Sequence, residues 1–123
     1  MMGSDLHVMS DKAYRRMDQG QFEAVGNVVI IHQSKALYGE RAVMSMESGD
    51  VEVAGNVRYV APEMTMYGTD LFYNTNSTYL LVKNARVVTE NFIVLGETLA
   101  RVNRQIIIGN NAEYTTCQDC PES

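Results

Sequence analysis

Two cysteines near the end of the chain have a spacing that is typical of redox, metal-binding and disulfide motifs. Cys117 and Cys120 form a CxxC motif, which occurs in redox pairs, zinc sites and structural disulfides. Zinc needs four ligands and no second CxxC is present, while a thioredoxin-like pair would begin a helix in a βαβ unit. Disulfide bonding is therefore favoured. Three states stay open: free thiols, a bond between the two cysteines, or bonds to partners elsewhere in a parent chain.

The remaining candidates for catalysis or ligation do not form a constellation. His7 and His32 lie in different parts of the chain, and we expect both at the surface or at a strand edge. Glu40, Glu52 and Glu97 fall on the polar side of an alternating pattern, where solvated strand positions are the ordinary explanation. No Ser, His and Asp order accompanies them. We therefore expect no enzyme, no metal and no cofactor.

Composition limits the class of protein. The chain has 123 residues, 46% of them hydrophobic and 20% charged, with a formal net charge of −5. This is typical of one globular domain, and the negative charge argues against a nucleic-acid partner, which needs clustered Lys and Arg. No apolar run approaches the roughly 18 residues of a membrane-spanning helix. The first residues lack the basic and then apolar pattern of a signal peptide.

An internal repeat organises almost the whole chain. Gly39, Gly68 and Gly96 recur at intervals of about 28 residues, and Ser10 holds the equivalent place in the first of four copies. A second recurring position holds asparagine: Asn27, Asn56, Asn84 and Asn111. A repeat of this length, made of short strand-like runs, predicts stacked β-units with a shared apolar interior.

Each unit alternates apolar and polar residues, as strands with one buried face do, but the alternation changes phase at two fixed places. One place follows the recurring glycine and the other is the recurring asparagine, where we expect a corner with positive φ. Turn residues lie midway through the units, at 18–20, 47–50 and 74–77. We therefore predict an all-β fold, an open-ended β-jellyroll or β-roll of about eight or more strands, built from four ~28-residue repeats.

The apolar columns of the repeat are the candidate binding residues. We expect these side chains to line one interior: Leu37, Ala42, Met44, Val51, Val53, Val57, Tyr59, Met66, Leu71, Tyr73, Leu80, Val82, Leu99, Ile106 and Ile108. Two arginines, Arg15 and Arg101, fall in the same columns in the first and last copies, where an open end would let the charged head reach water. A Met-rich, adaptable interior suits flexible hydrocarbon better than a shaped polar ligand.

The repeat also resembles a known family. The strings VEVAGNV at 51–57 and YGERA at 38–42 resemble the repeat of the OstA-like family of lipopolysaccharide transport proteins, and the resemblance covers about residues 8–116. It implies a β-jellyroll domain at 8–116 between an N-terminal tail, native or added for expression, at 1–7 and a Cys-bearing tail at 117–123. The ending is most similar to family members whose periplasmic domain precedes an outer-membrane barrel.

The resemblance further implies a function. Such a domain binds the lipid A acyl chains of lipopolysaccharide in its interior and relays them across the periplasm to the outer membrane. The implied partners are like-folded periplasmic transport proteins at the strand edges, the barrel portion of the parent chain through disulfides at Cys117 and Cys120, and possible further copies of the chain. The alternative is a structural β-solenoid module with a sealed core that assembles end to end and binds no lipid.

Overall fold

The computed structural model of the protein describes residues 6–16, 20–102 and 107–118. These residues form ten β-strands and no helix. The strands are β1 (Leu6–Met9), β2 (Lys12–Arg16), β3 (Gln21–His32), β4 (Lys35–Ser45), β5 (Asp50–Ala61), β6 (Met64–Asn74), β7 (Leu80–Val88), β8 (Phe92–Arg101), β9 (Ile107–Asn110) and β10 (Glu113–Thr116). The predicted all-β fold is confirmed, and β1 begins two residues before the predicted domain start.

The strands form one antiparallel sheet in the order β1-β3-β4-β5-β6-β7-β8-β10, with β2 beside β3 and β9 beside β8. The long strands β3 to β8 follow each other as hairpins, with turns at 33–34, 46–49, 62–63, 75–79 and 89–91. Two of these turns lie where the Gly, Asn and Ser clusters predict them. The segment Lys12–Arg16, whose charges have helical spacing, is a strand because it pairs with β3.

Each long strand changes direction at a corner near its middle. The pairing register shifts between Val25 and Val28 in β3 and between Ala54 and Val57 in β5. The recurring asparagines occupy these corners with φ of 48° at Asn27, 47° at Asn56, 50° at Asn84 and 49° at Asn111. Asparagine is one of the few residues that adopt this left-handed conformation readily. The predicted corner-forming role is confirmed.

The corner divides the sheet into two arms. Arm A contains residues 12–16, 21–25, 41–45, 50–54, 70–74, 80–83, 98–101 and 107–110, and arm B contains 6–9, 28–32, 35–39, 57–61, 64–68, 85–88, 92–96 and 113–116. His32 in arm B contacts Tyr73 in arm A, although the two do not pair in the sheet. The two arms therefore face each other, and the sheet packs against itself.

The short strands at both ends repeat the same corner. β1 and β2 are the arm B and arm A parts of one interrupted edge, broken at Ser10 and Asp11, and both pair with β3. β9 and β10 form the opposite edge, broken at Asn111 and Ala112, and both pair with β8. The fold therefore begins and ends with a folded edge of the same shape as the strands between them.

Candidate functional site

The interior between the arms is formed by the predicted apolar columns. Register pairing places Ala42, Val53, Leu71, Val82 and Leu99 side by side in arm A. The predicted residues are buried with at most 4% exposure: Leu37, Ala42, Met44, Val51, Val53, Val57, Tyr59, Met66, Leu71, Tyr73, Leu80, Val82 and Leu99. They belong to one hydrophobic cluster. The columns therefore point inward together.

The last two residues predicted to line the interior, Ile106 and Ile108, are not among these buried residues. Ile108 lies in β9 opposite Ala100, on the outer face of arm A, and is 55% exposed. The prediction for Ile108 was wrong because Ile106, Ile107 and Ile108 are all apolar and carry no alternation that could set their phase. The inward positions of β9 are Ile107, opposite Arg101, and Gly109, opposite Leu99. Ile106 lies outside the described residues.

The free ends of the arms meet at a seam on the side away from the corner. We define the seam by His32, Tyr59, Glu63, Tyr73 and Arg101, all of which lie near strand ends. The His32 Nδ1 and Tyr73 hydroxyl atoms are 2.8 Å apart and form a hydrogen bond across the seam. The two rings meet edge to face, with centroids 5.6 Å apart. This is a polar closure between otherwise apolar layers.

His32 is completely buried and pairs with Leu6 and Lys35 on its two sides, so the expectation of a surface or strand-edge position was wrong. Burial, and secondly the charge of Lys35, lower the pKa of His32 below its ordinary value of 6.5. Burial, followed by the neighbouring Tyr59, raises the pKa of Tyr73. Both partners are therefore neutral near pH 7. The strand position of His32 could be read from the sequence, but its hydroxyl partner lies 41 residues away.

Arg101 closes the second part of the seam. Its residue is 8% exposed, and its Nη1 donates to Glu63 Oε1 at 2.9 Å. The guanidinium also hydrogen-bonds the Tyr59 hydroxyl. Burial is the largest influence on Tyr59 and raises its pKa, whereas the charge and hydrogen bond of Arg101 act to lower it. The column position predicted for Arg101 is confirmed by its pairing with Leu80. The expectation placed the charged head in water at an open end. The head instead contacts Glu63 and Tyr59 at the seam.

The apolar side chains of the two arms are buried together in the interior. The clefts that we describe lie elsewhere: one follows the outer side of the corner near Tyr38 and Arg58, and a second lies on the outer face of arm A beside Phe72. A third, of about 270 Å³, lies at the seam and is lined by Lys35, Tyr59, Glu63 and Arg101 among others.

A ladder of side-chain hydrogen bonds accompanies the corner and was missed from the sequence. The amide of Asn27 donates to Asp11 Oδ2 at 3.0 Å, that of Asn56 to Glu40 Oε2 at 3.0 Å, and that of Asn84 to Thr69 Oγ1 at 3.0 Å. The amide of Asn111 donates to Glu97 Oε2 in the same way. The sequence did contain a signal for this ladder, because a polar residue, the acceptor of the asparagine amide, follows the recurring position in every copy: Ser10, Gly39, Gly68 and Gly96.

The recurring glycines next to this ladder are required by close approach. A Cβ atom at Gly68 would overlap Val82 Cγ1 and lie 2.5 Å from the Lys83 carbonyl oxygen, and a Cβ atom at Gly39 would overlap Val53 Cγ1. These contacts come from the next strand, so glycine lets adjacent strands stay close where they bend. The ladder and the glycines together fix the corner and hence the way the arms face each other.

Both sheet edges expose strand backbone. Among the described strands, β1 and β2 pair only with β3, and β9 and β10 pair only with β8. β2, β9 and β10 are exposed throughout, and Ile108 and Tyr114 expose large apolar surfaces at 55% and 62%. Such an edge is a template for a further strand.

The other predicted features lie mostly outside this geometry. Cys117 follows β10 and is not a free thiol, while Cys120 lies outside the described residues. In the described ranges, no group of three or more His, Cys, Asp or Glu side chains is arranged to hold a metal. A membrane-spanning helix is likewise absent from the described part of the chain.

Comparison with known proteins agrees with this architecture. No curated protein sequence matches the chain. The structure is similar to that of LptH, described as the LptA homologous periplasmic component of the conserved lipopolysaccharide transport device from Pseudomonas aeruginosa, with a TM-score of 0.80 and 20% sequence identity. The similarity covers 90% of this chain and 94% of that one, and it identifies the fold as a β-jellyroll. The sequence matches the OstA-like protein family over residues 6–115. The chain therefore belongs to the OstA-like family.

Proposed function

We propose that the protein is a lipopolysaccharide transport module of the periplasm that takes acyl chains between arm A and arm B. The observation that carries the proposal is the continuous inward column of apolar side chains that runs from edge to edge of a two-arm sheet. Family membership supports the same role. Holding a lipid in this way needs no chemical step.

Acyl chains enter by separating the arms at the seam. The described polar contacts across the seam are the His32 bond to Tyr73 and the Arg101 contacts to Glu63 and Tyr59, whereas backbone pairing holds each arm together along its length. Opening the seam breaks few hydrogen bonds, and hydrocarbon then takes the place of the apolar packing between the arms. Each buried methylene contributes about 0.8 kcal/mol.

Transport also requires that lipid pass from one module to the next. The folded edges at β1 with β2 and at β9 with β10 support docking with like-folded partners, because strand pairing there would continue both arms and the corner. The apolar columns would then continue across the junction. A second copy of the chain could dock in the same manner.

The sealed structural module is the second candidate, and one observation favours it. Leu37, Met66, Tyr73 and Leu80 are 0% exposed, so the interior is closed in this state. The two proposals differ in whether the arms separate in the presence of lipid.

Photo-crosslinking tests the difference. A photoreactive residue at Met44, which is 1% exposed inside arm A, should capture lipopolysaccharide. The matched control is Glu52 on the outer face, which pairs with Val43, the neighbour of Met44. Capture at Met44 alone supports the conduit. Equal capture at both positions, or capture at neither with purified lipopolysaccharide in excess, contradicts it and favours the sealed module.

Within the family, we propose the N-terminal domain of lipopolysaccharide assembly protein D, also called the organic solvent tolerance protein, as the subtype. The reason is the position of Cys117 directly after β10 and of Cys120 three residues later, where disulfides to another part of a parent chain could form. Bridge protein A and inner-membrane protein C are the alternatives. Mass spectrometry of the full parent chain, exported to the periplasm and purified without reductant, would identify the partner of each cysteine. Reduced thiols, or a bond between Cys117 and Cys120 only, would contradict the assignment.

A further inference from the structure

Arg101 is an unusual residue for its position. It lies in the inward column that contains Met44, Val51, Tyr73 and Leu80, and it is 8% exposed. Taking a guanidinium out of water is costly, and apolar side chains in such positions are often as stable or more stable. The neighbours in the column are apolar or aromatic. Folding alone therefore does not account for a cation here.

The partner of Arg101 is placed so that it can be exchanged. Glu63 lies in the turn between β5 and β6, and its side chain is 53% exposed, compared with 10% for that of Arg101. A half-exposed carboxylate is well hydrated without its partner, so releasing it costs little. The guanidinium presents a planar fork of N–H donors that binds carboxylate and phosphate oxygens in the same geometry.

The cleft around this pair has the composition of an anion site. Its lining includes the cations Lys35 and Arg101, the hydroxyl groups of Ser34 and Thr78, and Glu63 as the carboxylate. Lys35 donates to Gln33 Oε1 at 2.9 Å, at the same mouth. Two cations and one carboxylate give the cleft a positive balance on a chain of net charge −5. The cleft has room for a phosphate group and the atoms attached to it.

We propose that the seam cleft binds a phosphate group on the headgroup of the amphiphile whose acyl chains occupy the interior, with Arg101 and Lys35 as the anion ligands. The inference rests on the proposed function, since it assigns the headgroup of the same ligand. Phosphate replaces Glu63 on the Arg101 fork as the seam opens. When the pair separates, the exposed Glu63 carboxylate is hydrated but the buried Arg101 guanidinium loses its counter-ion. Only a ligand that carries an anion replaces this counter-ion, which makes the seam selective.

Binding measurements with three probes test the proposal: phosphorylated lipid A, the same lipid with its phosphates removed, and inorganic phosphate. The native protein should bind the phosphorylated lipid about tenfold more tightly than the dephosphorylated one, the effect of a charge-assisted contact. Arg101→Gln should abolish this preference, so that the variant binds both lipids with the same affinity. Glu63→Gln should increase the preference, because it removes the competitor and keeps Arg101.

Arg58→Gln is the matched control. It also removes one positive charge, but Arg58 lies on the outer face of arm B, 4.2 Å above the Tyr38 ring, and its removal should leave the preference intact. An equal loss in both arginine variants would mean a general charge effect and would overturn the proposal. If Arg101→Gln melts far below the native protein, the Glu63→Gln variant provides the test. An increased preference for the phosphorylated lipid supports the proposal, whereas no increase, as expected for a purely structural ion pair, overturns it.

The outcomes separate this inference from the proposed function. A native protein that binds neither lipid contradicts the proposed function. A native protein that binds both lipids equally contradicts only the phosphate site. Binding of inorganic phosphate that depends on Arg101, without any preference between the lipids, would assign the cleft to free phosphate and overturn the headgroup proposal.

Discussion

The corner asparagine offers the most direct test of how the chain specifies its fold. Asn56 has φ of 47°, and its amide donates to Glu40 Oε2 at 3.0 Å. These are separate contributions, one from the backbone and one from the side chain. Three substitutions distinguish them: Asn56→Gly keeps the backbone conformation accessible, Asn56→Ala removes both contributions, and Glu40→Ala removes the acceptor alone.

The magnitudes follow from the geometry. A left-handed conformation costs an ordinary residue about 1–2 kcal/mol, and an exposed hydrogen bond to a carboxylate contributes about 1 kcal/mol. Asn56→Ala should therefore lower the free energy of unfolding by about 2–3 kcal/mol. Asn56→Gly and Glu40→Ala should each lower it by about 1 kcal/mol.

Urea unfolding followed by far-ultraviolet circular dichroism gives these free energies, and tyrosine fluorescence provides a second probe, since the chain has 7 tyrosines and no tryptophan. A double-mutant cycle isolates the bond: Glu40→Ala should cost almost nothing once Asn56 is alanine. Equal effects of glycine and alanine at position 56 would refute the backbone explanation. A full cost of Glu40→Ala in the alanine background would refute the hydrogen bond.

Further predictions concern the close approach of strands, the seam and the edge. Gly68→Ala should destabilise by about 1–3 kcal/mol, measured by urea unfolding, because its Cβ meets the backbone of the next strand; a neutral effect would contradict that contact. Since burial lowers the pKa of His32, unfolding free energy should be flat above pH of about 6.5 and fall below it, as the unfolded state takes up the proton first. His32→Phe should flatten this profile between pH 5 and 7, and an unchanged profile would contradict the assignment. Thr115→Pro in β10 should abolish any concentration-dependent association seen by sedimentation, since proline interrupts an edge, whereas Thr115→Ser should retain it.

Much of the fold was predictable because the repeat samples each position several times. A single apolar residue such as Leu37, Met66 or Val87 does not identify a face, but their recurrence in a column identifies the inward face. In the structure, Leu37 and Met66 both pair with Tyr59, and Met66 also pairs with Val87. The asparagine corner was predictable for the same reason. Repetition supplies the phase that a single alternating strand leaves uncertain.

The failures occur where repetition stops. The three consecutive isoleucines at 106–108 belong to the final copy and contain no polar residue to set a face, so Ile108 was assigned inward although it points out. His32 was expected at the surface or at a strand edge. It is buried with Tyr73, which reaches it only through the folding of arm A onto arm B. Contacts between the arms are long-range, and no local pattern encodes them.

The corner also has an evolutionary consequence. The number of residues between the corner and the hairpin turn determines the width of each arm. The number of hairpins determines the length of the sheet. Different parts of the repeat therefore encode the two dimensions. Gene duplication of one whole unit would lengthen the apolar interior without altering its cross-section, because the new asparagine and glycine would prolong the existing bend. Insertion of a single residue within a unit would do the opposite, because it would disturb the cross-section of the interior and leave the length of the sheet almost unchanged.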